Sequence, residues 1–229
     1  MYESGLGVTK DDDQAFQWYK KAAEQGYDQA VQWLRNAAEK GLAEAQFNLG
    51  MMYVAGSGVY KSDAQALKWL QMAAEQGLAE AELPKWSIMA EQGDVEAQFE
   101  LGKSYQSGRC VPQNAAQAYK WYRKAAEQGH AKAQFNLGMM YATGGIPTSD
   151  TQALIWLREA AEQGHVKAQF NLGVVYARGR GVAKDKTEAL KWFRKAAEQG
   201  YAEAQQQVQT LARSPIGASL GSHWWQGWG

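Results

Sequence analysis

The 229-residue chain holds one cysteine, four prolines and three histidines. A lone Cys110 excludes an intramolecular disulfide and any cysteine-rich zinc site. That fits a reducing compartment, but many exported proteins also lack disulfides. No run of about 18 apolar residues is present, so no transmembrane helix and no membrane insertion are expected. The first residues, Met1-Tyr2-Glu3-Ser4, have no basic segment and no apolar stretch, and do not read as a signal peptide. The compartment stays open: cytoplasmic, or periplasmic or secreted where a leader has been removed. Twenty-four basic residues balance 24 acidic ones. The broad positive field that nucleic-acid binding needs is therefore missing.

Catalytic signatures are equally scarce. There is no G-x-x-x-x-G-K-[ST] phosphate loop, no H-E-x-x-H and no G-x-S-x-G. No serine has a lysine three residues on. His130 and His165 share a position just after a helix-ending glycine, where Leu42, Leu78 and Tyr201 also stand, so they read as surface or packing variants rather than metal ligands. Cys110 is a loop thiol with no base predictable beside it, which makes a nucleophilic role unexpected. No catalytic residue, cofactor site or metal site is assigned.

What the chain has in quantity is a repeat. The unit A-x-A-Q-x-x-L-G-x-x-Y-x-x-G … W-x-x-x-A-A-E-Q-G returns every 35 or 36 residues, most clearly at 43–77, 95–129, 131–164 and 166–200. A fixed period in this range means stacked supersecondary units. Ala45, Leu49, Met52 and Tyr53 recur at helical spacing and predict a first helix. Gly50, Gly102, Gly138 and Gly173 lie inside it. A glycine there costs about 1 kcal/mol against alanine, which predicts close approach of a partner helix. A turn follows. Asp11, Ser62, Asn114, Ser149 and Asp185 then stand at the N-cap of a second helix. That helix carries Trp18, Trp69, Trp121, Trp156 or Trp192, all expected in the core. It ends at Gly26, Gly77, Gly129, Gly164 or Gly200, where glycine takes the left-handed conformation.

The glycine-rich loops at 5–10, 56–61 and 179–184 precede helix N-termini, where anions can bind. No strand precedes them and they recur from unit to unit, so they read as turn geometry. The expected fold is an all-α solenoid of helix-turn-helix hairpins, each burying its faces against its neighbours.

The A-A-E-Q-G ending, the L-G-x-x-Y core and the G-x-G-V loop resemble the SEL-one-like repeat (SLR), a relative of the tetratricopeptide repeat with a longer loop between helices. The resemblance covers nearly everything from Met1 to Ala212. It implies a right-handed α/α superhelix. It also implies an adaptor role in protein complexes, in bacteria often in envelope, signalling or host-interaction settings.

On this reading residues 1–213 form the solenoid. It comprises a truncated first unit 1–26, a short unit 27–41, a full unit 42–77, a short unit 78–93, full units 94–129, 130–164 and 165–200, and a terminal helix 201–213. Pro84 is expected to end or kink any continuous helix within 78–93. Residues 214–229 form a linker and a Trp-rich tail (Trp224, Trp225, Trp228). The tail has two readings: a scar of cloning or a shifted reading frame, or an aromatic segment that docks on an apolar groove and supports self-association.

The resemblance also implies which first-helix positions face a concave groove. They are Glu44, Phe47, Met51 and Val54; Glu96, Phe99, Lys103 and Gln106; Lys132, Phe135, Met139 and Ala142; and Lys167, Phe170, Val174 and Ala177. The phenylalanines either pack between adjacent first helices or form part of an exposed aromatic and methionine stripe. The first position changes from Glu44 and Glu96 to Lys132 and Lys167. The expected function is non-enzymatic binding of a protein or peptide on that face. The rivals are a hydrolase or amidase on a repeat scaffold and a purely structural module.

Overall fold

A computed structural model describes residues 12–144 and 146–213. These hold twelve α-helices, one 3-10 turn and no strand. They form two compact units, split between Gly93 and Asp94. The expected cap at Asp11, the loop at 5–10 and the Trp-rich tail lie outside the described residues.

The first unit contains α1 (Asp12–Glu24), α2 (Asp28–Glu39), α3 (Ala43–Ala55), α4 (Asp63–Glu75), a 3-10 turn (Ala79–Ala81) and α5 (Glu82–Glu91). The second contains α6 (Val95–Ser107), α7 (Ala115–Glu127), α8 (Ala131–Thr143), α9 (Asp150–Glu162), α10 (Val166–Arg178), α11 (Lys186–Glu198) and α12 (Ala202–Arg213). Each helix packs chiefly on its sequence neighbours. This is the contact pattern of an all-α helical repeat solenoid.

The hairpins α3/α4, α6/α7, α8/α9 and α10/α11 are built alike. Their in-helix glycines meet the second helix at close range, as the repeat predicts. A Cβ at Gly50 would stand 2.8 Å from Leu70 Cγ, at Gly138 3.0 Å from Leu157 Cγ, at Gly102 2.5 Å from Tyr122 Cδ1 and at Gly173 2.7 Å from Phe193 Cδ1. All four partners are fully buried. A methyl group would force them out of place, and overpacking costs more than the glycine does.

The described caps form as expected. Ser62, Asn114 and Ser149 accept from the N–H of Gln65, Gln117 and Gln152, and Asp185 accepts from Thr187 and Glu188. The same four residues donate their own N–H to the carbonyls of Tyr53, Tyr105, Tyr141 and Tyr176 at 2.9–3.0 Å, closing each loop against its first helix. At the other end, Gly77 takes φ +87. Gly77 N–H then bonds Ala74 and Leu78 N–H bonds Ala73. That paired pattern stops the helix and satisfies its last carbonyls.

One expectation is corrected. Trp69, Trp121 and Trp192 are buried and Trp156 is half-buried, but Trp18 is 59% exposed. A second-helix tryptophan packs toward the preceding element, as Trp69 does in joining the cluster of Val31 and Leu34 from α2. α1 is the first described helix and offers Trp18 no such neighbour among the described residues. The helix is interrupted within 78–93, as Pro84 predicts. The break falls just before it, where the 3-10 turn passes into α5. Pro84 is then in the first turn of α5, where its missing N–H costs no intrahelical bond.

Candidate partner-binding face

The second unit brings several of the sequence-selected residues into one patch. Glu96, Phe99 and Lys103 lie on one stripe of α6, and Lys132 opens α8. His130 links the two helices. Its Nδ1 accepts from Ala133 N–H at 3.1 Å, capping α8, and its Nε2 lies 3.1 Å from Glu96 Oε2. The Phe99 ring lies against the His130 ring, with centroids 4.7 Å apart. The ammonium groups of Lys103 and Lys132 stand 5.6 and 5.9 Å from the same phenylalanine centroid. Lys103 is also paired with Glu100 at 2.7 Å.

The arrangement repeats one step on. Phe135 stacks on His165, whose Nδ1 accepts from Ala168 N–H at 3.2 Å and caps α10. Phe170 packs on Tyr201 and Phe193. Phe99, Phe135 and Phe170 are all buried, as is Val174, while Phe47 and Met139 are partly covered. Glu44, Met51, Glu96, Lys103, Lys132 and Lys167 remain exposed. The phenylalanines thus lock adjacent first helices together, and the charged positions and Met51 are left to face solvent.

His165 is held below its ordinary pKa of 6.5, first by burial and then by the positive charge of Lys167 and Lys132. Capping α10 also needs an unprotonated Nδ1. Both effects favour the neutral ring.

A groove of about 510 Å³ lies between α8 and the α6/α7 hairpin, with Ala115 and Ala118 of α7 in its lining. Gln106 and Gln113 line one side; Phe135, Asn136, Met139 and Thr143 of α8 line the other. In the first unit, Glu44 and Phe47 line a smaller recess of about 240 Å³ with Lys20, Leu78 and Glu80. Among the described residues, no three His, Cys, Asp or Glu side chains are placed to hold a metal ion. None of their helices is long and apolar enough to cross a membrane.

The sequence reading missed a polar ladder. Gln46, Gln98, Gln134 and Gln169 are buried. Gln46, Gln134 and Gln169 donate Nε2 to the carbonyls of Ala38, Ala126 and Ala161 near the end of the preceding helix. The Oε1 of all four accepts from Gln76, Gln128, Gln163 and Gln199 at 2.6–2.8 Å. The signal was present: one amide recurs beside the buried Ala of A-x-A-Q, and another at every A-A-E-Q-G ending.

Paired helices with glycine-seated seams, capped second helices and glutamine rungs define an all-α helical-repeat protein. The particular repeat is settled by comparison. The Sel1 repeat model matches residues 1–27, 27–42, 43–78, 95–130, 131–165 and 166–201, and the chain belongs to this family. It is similar to c5321, a protective antigen of uropathogenic Escherichia coli with an SLR fold, at 36% identity and a TM-score of 0.58. That match covers 95% of this chain and 55% of c5321, so the chain spans about half the length of that relative. A Sel1 repeat protein from Oxalobacter formigenes is 31% identical over 93% of this chain and 72% of its own, with a TM-score of 0.49. No curated protein sequence matches the chain.

Proposed function

We propose that the chain is a non-enzymatic scaffold that binds a protein or peptide partner on the concave face lined by the first helices of its hairpins. Sel1 repeat proteins are in general protein-interaction scaffolds. The observation that carries the finer reading is the division of labour along the first helices. Buried phenylalanines fix the spacing of neighbouring helices, and the exposed residues between them vary from unit to unit. Met51 is exposed on α3, Lys103 on α6 and Lys132 on α8. A fixed frame with variable contacts is how a repeat surface selects a partner.

Photo-crosslinking tests this. A benzophenone side chain at Met51 or Lys103 should capture a partner in cells. The same group at Arg123 or Lys191, exposed on second helices α7 and α11, should not. Capture from Arg123 and Lys191 alone would move the partner to the other face. Capture from none of the four would favour a purely structural module.

A further inference from the structure

We infer that the groove between α8 and the α6/α7 hairpin binds an uncharged peptide segment, whose main chain pairs with the Gln106 and Asn136 amides and whose apolar side chain enters beside Met139. This rests on the binding reading given above and adds to it a site and a ligand chemistry.

The buried Tyr122 hydroxyl carries the inference. Leu70, Leu157 and Phe193 hold the same seat opposite Gly50, Gly138 and Gly173, and none of them has a polar side-chain atom. Tyr122 is fully buried, and a hydroxyl taken into a core is costly unless it is bonded. It donates to Gln106 Oε1 at 2.6 Å. Burial pushes its pKa above the ordinary value, and the Asn136 side chain, reaching the same oxygen as a donor, partly opposes this. The counterparts of Asn136 are used differently: Asn48 and Asn171 donate to the Glu44 and Lys167 carbonyls of their own helices. One phenol thus orients two amides, from α6 and α8. Gln106 keeps its Nε2 donor and Asn136 its Oδ1 acceptor for a ligand, and both residues line the groove. A peptide unit presents one acceptor and one donor to match them.

The rest of the lining fits the same ligand. Among the described residues, no charged side chain lines the groove, and Phe135 is buried. It therefore offers neither an ion pair for a phosphate nor an open ring face for a sugar. Met139 supplies an apolar contact that adapts to varied side chains. The opening has a cause in the loops. The six-residue loop 179–184 closes on the start of α9, where Arg180 pairs with Asp150 at 3.2 Å and a Cβ at Gly181 would stand 2.8 Å from the Asp150 carbonyl. The loop 144–148 of the α8/α9 hairpin is one residue shorter. Ala115, the α7 counterpart of Asp150, lines the groove.

The test is phage selection of random dodecamer peptides against the full chain, followed by titration of one synthetic winner. Uncharged peptides with at least one large apolar residue should be enriched. The winner's affinity should change by less than about twofold between low and physiological salt, since no ion pair is made. N-methylation scanned along its backbone should find one nitrogen whose blocking costs about tenfold. Tyr122→Phe reproduces the Phe193 seat and should fold normally; by releasing both amides it should also weaken binding about tenfold. Met139→Lys should abolish binding, with circular dichroism as the check on folding; if it unfolds, Tyr122→Phe alone decides. Enrichment of charged peptides with salt-dependent binding overturns the ligand assignment and leaves the binding reading intact. Neutral peptides that bind Tyr122→Phe as tightly as the parent, or that tolerate N-methylation throughout, overturn the pairing with Gln106 and Asn136. No enrichment sinks this site, while crosslinking from Met51 and Lys103 still decides the binding reading.

Discussion

The hairpin α3/α4 of the first unit and the hairpins of the second have the same interior but different neighbours. Gly50 against Leu70, the Ser62 cap and the Gln46–Gln76 rung reproduce inside α3/α4 what Gly138 against Leu157, the Ser149 cap and the Gln134–Gln163 rung do inside α8/α9. Between hairpins the match ends. In the second unit each first-helix phenylalanine packs against the ring that begins the next first helix: Phe99 on His130, Phe135 on His165, Phe170 on Tyr201. In the first unit, Phe47 shares a cluster with Leu78, and the chain continues from Leu78 into a 3-10 turn and the single helix α5. The repeat motif specifies the hairpin. Coupling between hairpins depends on which residue starts the next one.

Core truncation should break the comparison most strongly. Tyr122→Ala removes a fully buried ring seated on Gly102, and should cost about 3–5 kcal/mol; Leu70→Ala should cost about 2–5 kcal/mol. Hydrogen exchange should show the Tyr122 loss spread across 94–200, where full hairpins follow one another, and the Leu70 loss confined to residues near α3 and α4. Equal spreading in both variants would mean that the aromatic stacks add nothing to coupling.

The glutamine rungs come next. Gln134→Ala strips a bond from the Ala126 carbonyl, leaves the Gln163 amide without its acceptor and removes a contact with Glu159. Unsatisfied buried groups of this kind should cost about 2 kcal/mol. Gln46→Ala loses the matching bonds to Ala38 and Gln76 but has no contact matching Glu159, so it should cost slightly less in urea melts. A Gln134→Ala protein as stable as the parent would show that water replaces the rung.

The fold was legible because helical spacing, N-cap residues and terminating glycines are local signals, each satisfied within one unit of sequence. Gly102 could be recognised as a contact point before its partner Tyr122 was known. The face was only half legible. Helical register placed Phe135 and Lys132 on one side of α8, but register does not say which of them a neighbour covers. Burial of Phe135 is decided by His165, some 30 residues on. The capping role of the histidines was hidden for a related reason. Their counterparts Leu42, Leu78 and Tyr201 lack a capping acceptor; the one signal was Asp94, which holds the same position and caps α6 by accepting from Ala97 N–H.

Acid should separate the units further. No histidine is present among the described residues of the first unit. In the second, His165 titrates below 6.5 in the folded chain because of burial. Above that value it is neutral folded and unfolded, and there is no penalty. As pH falls through 6.5 the unfolded chain takes up the proton first, so stability declines until the folded pKa is passed. Protonation also removes the Nδ1 acceptor, and loss of a cap costs about 1 kcal/mol. Urea midpoints should therefore fall between pH 7.5 and 5.5, with the added exchange mapped to α8 and α10. His165→Asn keeps a capping acceptor and should flatten that response. An unchanged acid response in this variant would place its origin elsewhere.

The smallest effect concerns the one loop where the units depart in residue type. Gly58 in the first unit and Gly181 in the second hold φ near +70 and +65, and Cys110 occupies the matching position at φ +65. An L side chain in that region costs about 1–2 kcal/mol. Replacing it with glycine relieves the strain but gives the unfolded chain more freedom, which returns about 0.4–1 kcal/mol. Cys110→Gly should thus stabilise the second unit by only about 0.5 kcal/mol, a rise in Tm of about 1–2 °C measured with reductant present. Cys110→Ala keeps the Cβ and should leave Tm where it was, which separates backbone strain from loss of the thiol. The converse change cannot be absorbed in the first unit, where a Cβ at Gly58 would stand 2.2 Å from the Ala23 carbonyl oxygen. If Cys110→Gly lowers Tm while Cys110→Ala does not, the loop gains more from a stiff residue than it loses to strain, and the glycines at 58 and 181 are there for space rather than for conformation.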